Sequence, residues 1–140
     1  AIIMDDAYYG FIVESRTTID GIPTIPASCL IPLKARAHLD LWARRQAGDV
    51  HVKDRDVRKH RNDVFRLFRT LVPADRFALP RTLRRDLILF LERFPPDSEQ
   101  WPAIHASIND PDLKDPEQII MQLREIFELG DGTAELEGGR

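Results

Sequence analysis

From residue 27 onward, apolar side chains recur at steps of three and four, the spacing that lines one face of an α-helix. The first such run, 27–47, places Leu30, Leu33, Ala37 and Leu41 on one stripe, continued by Arg44, and Gly48-Asp49 ends it. Pro32 is compatible with a helix only near its beginning. A second run starts at Asp54 or Arg55 and reaches Leu71, with Val57, His60, Val64, Leu67, Phe68 and Leu71 in step and Pro73 as the stop. A third, 80–94, turns Leu83, Leu87, Phe90 and Leu91 inward before Pro95-Pro96 breaks the chain. A shorter one, 98–108, offers Trp101, Ile104 and Ile108. The last, 116–129, has Asp115 as N-cap, Pro116 at the first helical position and Gly130 after the final turn.

The first 26 residues follow a different pattern. Ile2-Ile3-Met4 reads as a short buried strand, and Asp5-Asp6 caps a brief helix through Tyr8 and Val13. Two short extended runs between Thr17 and Ile25 flank a glycine turn and predict a small hairpin, with Pro23 confining its strand to an edge or an end. The fold class that follows is mainly α: a bundle of about five helices behind a short N-terminal strand and a small β-hairpin. Residues 1–130 are expected to form one mainly helical domain, and the Gly-rich, acidic stretch 131–140 to be a disordered tail. So apolar an opening strand, with only a hairpin to pair with, is expected to find its neighbours upstream or in another subunit.

Composition narrows the function classes. The chain has 140 residues and 43% hydrophobic content, enough to bury a core without disulfides or metals. Its single Cys29 reads as a small core residue. No apolar stretch approaches a membrane span, and Asp5 and Asp6 stand where a signal peptide would carry Lys or Arg, so a cytoplasmic location is expected. The net charge of -3 conceals an asymmetry: residues 34–93 carry 16 Lys+Arg against 8 Asp+Glu, and residues 94–140 carry 3 against 11. The basic middle suits nucleotide or RNA phosphates, or is simply the solvated surface of helical hairpins that attract each other. The phenylalanines there, Phe65, Phe68, Phe77, Phe90 and Phe94, fall at apolar periodic positions, which favours core packing over base stacking.

The candidate chemistry lies on two helices. Asp56, Lys59, His60 and Asp63 fall within two helical turns, with Asp56–His60 and Lys59–Asp63 at i, i+4. Alternating charges at such spacing form either a solvent-exposed ladder or part of a site. His60 is the exception, because it interrupts the apolar stripe, either as a hydrogen-bonded semi-buried histidine or as a group reaching into a cleft. His38, His51, His60 and His105 show no metal-ligand spacing, so no metal is assigned. Lys34 sits in the first turns of a helix, where the dipole does not favour a cation, and beside an anion-handling helix it becomes a point charge for a phosphate.

The run Ile31-Pro32-Leu33-Lys34-Ala35-Arg36-Ala37-His38-Leu39-Asp40-Leu41, followed by Asp56-Val57-Arg58-Lys59-His60-Arg61-Asn62-Asp63-Val64-Phe65-Arg66-Leu67, resembles the C-terminal half of the AbiEii/AbiGii-type nucleotidyltransferase toxin family. The opening Ile2-Ile3-Met4-Asp5-Asp6-Ala7-Tyr8-Tyr9 and the hairpin with Asp20-Gly21 resemble what precedes those helices in the family, so the likeness spans roughly residues 1–75. It implies a DNA polymerase beta-like α+β fold with an appended helical bundle, residues 1–26 being the remnant of the α+β region. It further implies transfer of a nucleotide from a triphosphate with the help of magnesium. Lys34 would then bind phosphate, Asp56 would be the acid positioning the lysine or the acceptor, and Lys59, His60 and Asp63 would surround them.

The family's Gly-Ser followed by Asp-x-Asp, which supplies the metal ligands, is absent. Asp54-Arg55-Asp56 and Asp110-Pro111-Asp112 stand in the wrong context. The chain is therefore expected to hold no cofactor itself and to be inactive alone, with magnesium and a nucleoside triphosphate implied only if a missing catalytic half completes it. Two other classes stay open: a nucleic-acid- or protein-binding helical module, and a structural domain that self-associates as a homodimer.

Overall fold

The computed structural model describes residues 6–130. The expected strand Ile2-Ile3-Met4, the cap at Asp5 and the tail 131–140 lie outside them. In chain order the elements are α1 (Asp6–Ser15), β1 (Thr17–Ile19), β2 (Ile22–Thr24), α2 (Ala27–Gln46), α3 (Asp54–Phe68), α4 (Arg81–Glu92), α5 (Trp101–Ile108) and α6 (Pro116–Ile126). The mainly helical class with one small hairpin is what the apolar spacing predicts. β1 and β2 pair antiparallel, with Ile19 opposite Ile22. Asp20 (φ 51°) and Gly21 (φ 79°) both turn left-handed, the geometry a two-residue hairpin loop requires.

α2 is the central helix and packs against α1, α3 and α4. A helix with neighbours on three sides has no single apolar stripe, and this overturns the expected one. Cys29, Ile31, Pro32, Leu33, Ala35, Ala37 and His38 are buried around most of its circumference. Leu30 and Leu41 are only partly buried, and Arg44 is exposed, paired with Asp49 at 2.9 Å. Pro32 lies in the second turn, where it removes the N–H that would otherwise donate to Ser28. The C-terminus closes as a Schellman turn: Gly48 (φ 92°) takes the left-handed position and the Asp49 N–H donates to the Arg44 carbonyl at 3.0 Å.

On α3 the buried face is Val57, Arg61, Val64, Phe65 and Phe68, joined by Asn62. The expected stripe was rotated from this by part of a turn, so His60, Leu67 and Leu71 flank the core and Arg61 is its polar member. The helix ends at Phe68 rather than Leu71, because residues 66–71 tighten into successive i to i−3 bonds, Arg69 N–H to Arg66, Thr70 to Leu67 and Leu71 to Phe68.

α4 buries Leu83, Leu87, Phe90 and Leu91 as expected, with Ile88 added. α5 buries Trp101, Ile104 and Ile108. It starts at Trp101 rather than Ser98, since the Ser98 N–H bonds the Pro95 carbonyl in a turn. At the start of α6 the Asp115 carboxylate accepts from the Gln118 N–H at 3.0 Å, a cap worth about 1 kcal/mol. At its end the expected role of Gly130 falls to Glu128 (φ 54°), with the Leu129 N–H donating to Arg124 at 2.8 Å and the Leu129 side chain fully buried.

One contiguous core runs from Tyr8 to Leu129. At its centre Phe65 meets Phe90, Phe94 and Trp101 at ring distances of 5.7, 6.2 and 4.8 Å. The Trp101 indole N–H donates to the Pro95 carbonyl at 2.9 Å, so burying that ring leaves no donor unmet.

Candidate functional site

Lys34 projects from α2 and meets α3 through Asp63, Nζ to Oδ2 at 3.0 Å, the two side chains 27% and 19% exposed. The other Asp63 oxygen accepts from Arg66 at 3.2 Å. Asp63 thus turns to a neighbouring helix and to Arg66 rather than to Lys59, which lies on the exposed face of α3. The acid in contact with Lys34 is Asp63, and Asp56, about two turns earlier, acts on the cluster through its field on His60, with no ion pair to Lys34 among the described residues. The His60 Nδ1 is sealed from solvent and has no hydrogen-bond partner among the described residues. Burial and the Lys34 amine push the imidazole below its ordinary pKa, against a smaller upward pull from Asp63 and Asp56. Of the five residues singled out from sequence, the fold brings Lys34, His60 and Asp63 together, with Asp56 and Lys59 at the margin.

A second polar layer, which the sequence reading did not identify, lies deeper. His38 is buried among Phe90 and Phe94 at ring distances of 5.4 and 5.3 Å. Its Nδ1 sits 2.9 Å from the Val57 carbonyl, which can only accept, so Nδ1 carries the proton and Nε2 is left to accept from Arg93 at 3.3 Å. Burial pushes the His38 pKa down to about 4, assisted by Arg93, Arg61 and His60 and opposed by the Val57 bond. Arg61, only 5% exposed, donates to Asn62 and Gln100 at 3.0 Å each, and Asn62 donates on to Ser107 of α5 at 2.9 Å. No carboxylate pairs with Arg61 or Arg93 at ion-pair distance among the described residues.

Arg93 also lines a groove of about 780 Å³ between α2 and α4, together with Arg36, Trp42, Arg81, Arg85 and Asp86. Its guanidinium lies 3.8 Å from the centre of the Trp42 ring. Arg36 bridges Asp40 at 3.1 Å and Asp86 at 2.9 Å. The Tyr8 hydroxyl donates to the same Asp86 at 2.6 Å, and burial with that carboxylate raises the phenol far above its usual range. None of Lys34, Asp56, Lys59, His60 or Asp63 lines this groove. The sequence signal was present in Arg81, Arg85 and Arg93, which recur along the face of α4 that also carries Leu89, away from the buried Leu83 and Leu87.

The resemblance implies magnesium, which takes carboxylate oxygens and usually keeps several waters. Among the described residues no group of three or more His, Cys, Asp or Glu could hold a metal ion. No described helix is long and apolar enough to cross a membrane. No protein-family model matches this chain, and neither a curated protein nor a solved structure matches it.

Proposed function

We propose that this chain is the helical, phosphate-handling part of a nucleotidyltransferase-like protein, with Lys34 as the residue that meets the phosphates. What supports the reading is the meeting of the two segments that carry the family resemblance: Lys34 Nζ lies 3.0 Å from Asp63, on another helix and 29 positions away. A lysine clamped by one carboxylate keeps a fixed direction while its remaining N–H bonds stay available to an anion. His60, with its pKa lowered, stays neutral near pH 7 and adds no charge that would compete for the phosphate. Because the chain lacks the Gly-Ser followed by Asp-x-Asp that supplies the metal ligands in the family, the expected outcome is no nucleotide transfer by the chain alone.

A triphosphate whose ribose has been oxidised to a dialdehyde, trapped with borohydride, tests this by reporting which amine lies beside a bound nucleotide. The label should map to Lys34, fall when unmodified triphosphate competes, and weaken in Asp63→Asn. Label spread evenly over Lys53, Lys59 and Lys114, or indifferent to competitor, would discard the proposal. Incorporation of labelled nucleotide into RNA by the purified chain, abolished by Lys34→Ala, would overturn the expected inactivity of the chain alone.

A further inference from the structure

We propose that the groove between α2 and α4 binds an extended phosphate polyanion, the backbone of a single nucleic-acid strand. Arg81, Arg85 and Arg93 line it from one helix at i, i+4 and i+12, which spreads three guanidinium roots over about 18 Å of axis at 1.5 Å per residue. A row of that length matches a run of phosphates better than it matches one compact anion. Four arginines line the groove, Arg36, Arg81, Arg85 and Arg93, against two acids, Asp40 and Asp86, and both acids pair with Arg36.

Arg93 carries the argument. It is partly buried, held by the neutral Nε2 of His38 at 3.3 Å and stacked on Trp42 at 3.8 Å, and has no carboxylate partner among the described residues. Fixing a guanidinium and removing part of its water without supplying a counter-ion is costly in a fold and useful when a ligand brings the anion. Arg85, exposed on the rim and likewise without a carboxylate partner among the described residues, supplies a second contact. Arg93 covers the Trp42 ring and Leu39, Ala43 and Leu89 add apolar lining, so the strand is gripped by its phosphates rather than by stacking of its bases. The assignment does not rest on the role proposed for Lys34.

The chain has two tryptophans, Trp42 in the groove and Trp101 in the core, so their indole N–H resonances separate the site from the rest of the molecule. A mixed-sequence single-stranded oligoribonucleotide, titrated at low salt, should shift the Trp42 signal and leave Trp101 in place. Arg85→Gln should lower the slope of log affinity against log salt by about one, and Arg93→Gln should do at least as much. Lys34→Ala should leave the Trp42 response unchanged, which keeps failure here distinct from failure of the Lys34 reading. Inorganic polyphosphate of matched charge is the second arm: weaker binding than the oligonucleotide supports a strand, and equal or tighter binding overturns that assignment. An unmoved Trp42 signal with both probes, or affinity indifferent to Arg85→Gln, overturns the site itself.

Discussion

The two charged faces of α2 solve opposite problems. On the α3 side, Lys34 is matched by Asp63 at 3.0 Å, which fixes the direction of its amine. On the α4 side, Arg93 is matched by a neutral histidine and an aromatic ring, and its charge stays available. A charge fixed by a counter-ion is a positioned group. One fixed by neutral partners waits for an anion. His38 lies between the two, since its ring touches α3 through Val57 and α4 through Arg93.

The hardest blow to that arrangement is His38→Ala. It should destabilise the fold by about 3 kcal/mol, because it opens a cavity against Phe90 and Phe94 and removes the ring that donates to the Val57 carbonyl and accepts from Arg93. Urea denaturation measures it, and a loss below about 1 kcal/mol would show that the two faces are not joined through this ring.

Acid should act through the same residue, but gradually. The His38 pKa is lowered to about 4 in the fold, so the unfolded chain binds the proton more readily between pH 6.5 and 4. The His38 contribution to stability therefore falls as pH drops through that window and levels off below it, by about 3 kcal/mol in all. The depressed pKa of His60 adds to the fall in the same direction. Denaturation midpoints at pH 7, 5.5 and 4.5 follow the trend, and His38→Gln should flatten most of it.

Smaller again is the Lys34–Asp63 pair. Partly exposed and bridging two helices, it should show a coupling of about 0.5 to 1 kcal/mol in a double-mutant cycle of Lys34→Ala and Asp63→Ala. The least effect on the fold belongs to Arg85→Gln, within about 0.5 kcal/mol of the parent, since its side chain is exposed. If Arg85 proved as costly to stability as His38, the groove arginines would be part of the framework and the contrast between the faces would disappear.

The pattern of apolar spacing made most helices legible, with errors concentrated at their ends and at α2. Ends depend on local hydrogen bonds that residue type alone leaves open: Glu128 takes the left-handed position that Gly130 was expected to serve, two residues early. For α2 a one-sided stripe was read where burial is all round, and the number of neighbours a helix will have is not written in that helix. Within the candidate cluster, Lys34, His60 and Asp63 were selected from residue type, spacing and resemblance. Which acid meets the lysine required the relative rotation of two helices. Arg61 and His38 were passed over because a buried arginine or histidine looks in sequence like any other surface one.

By itself the sequence determined the helices, the hairpin turn at Asp20-Gly21 and the cap at Asp115, because these follow from steric and hydrogen-bonding preferences acting over a few residues. The tertiary structure decided that Lys34 pairs with Asp63, that His38 is neutral, and that Arg93 meets a neutral ring rather than a carboxylate among the described residues. Charge and protonation at these positions depend on what other helices bring within a few ångströms and how much water they exclude, and neither quantity exists until the helices pack.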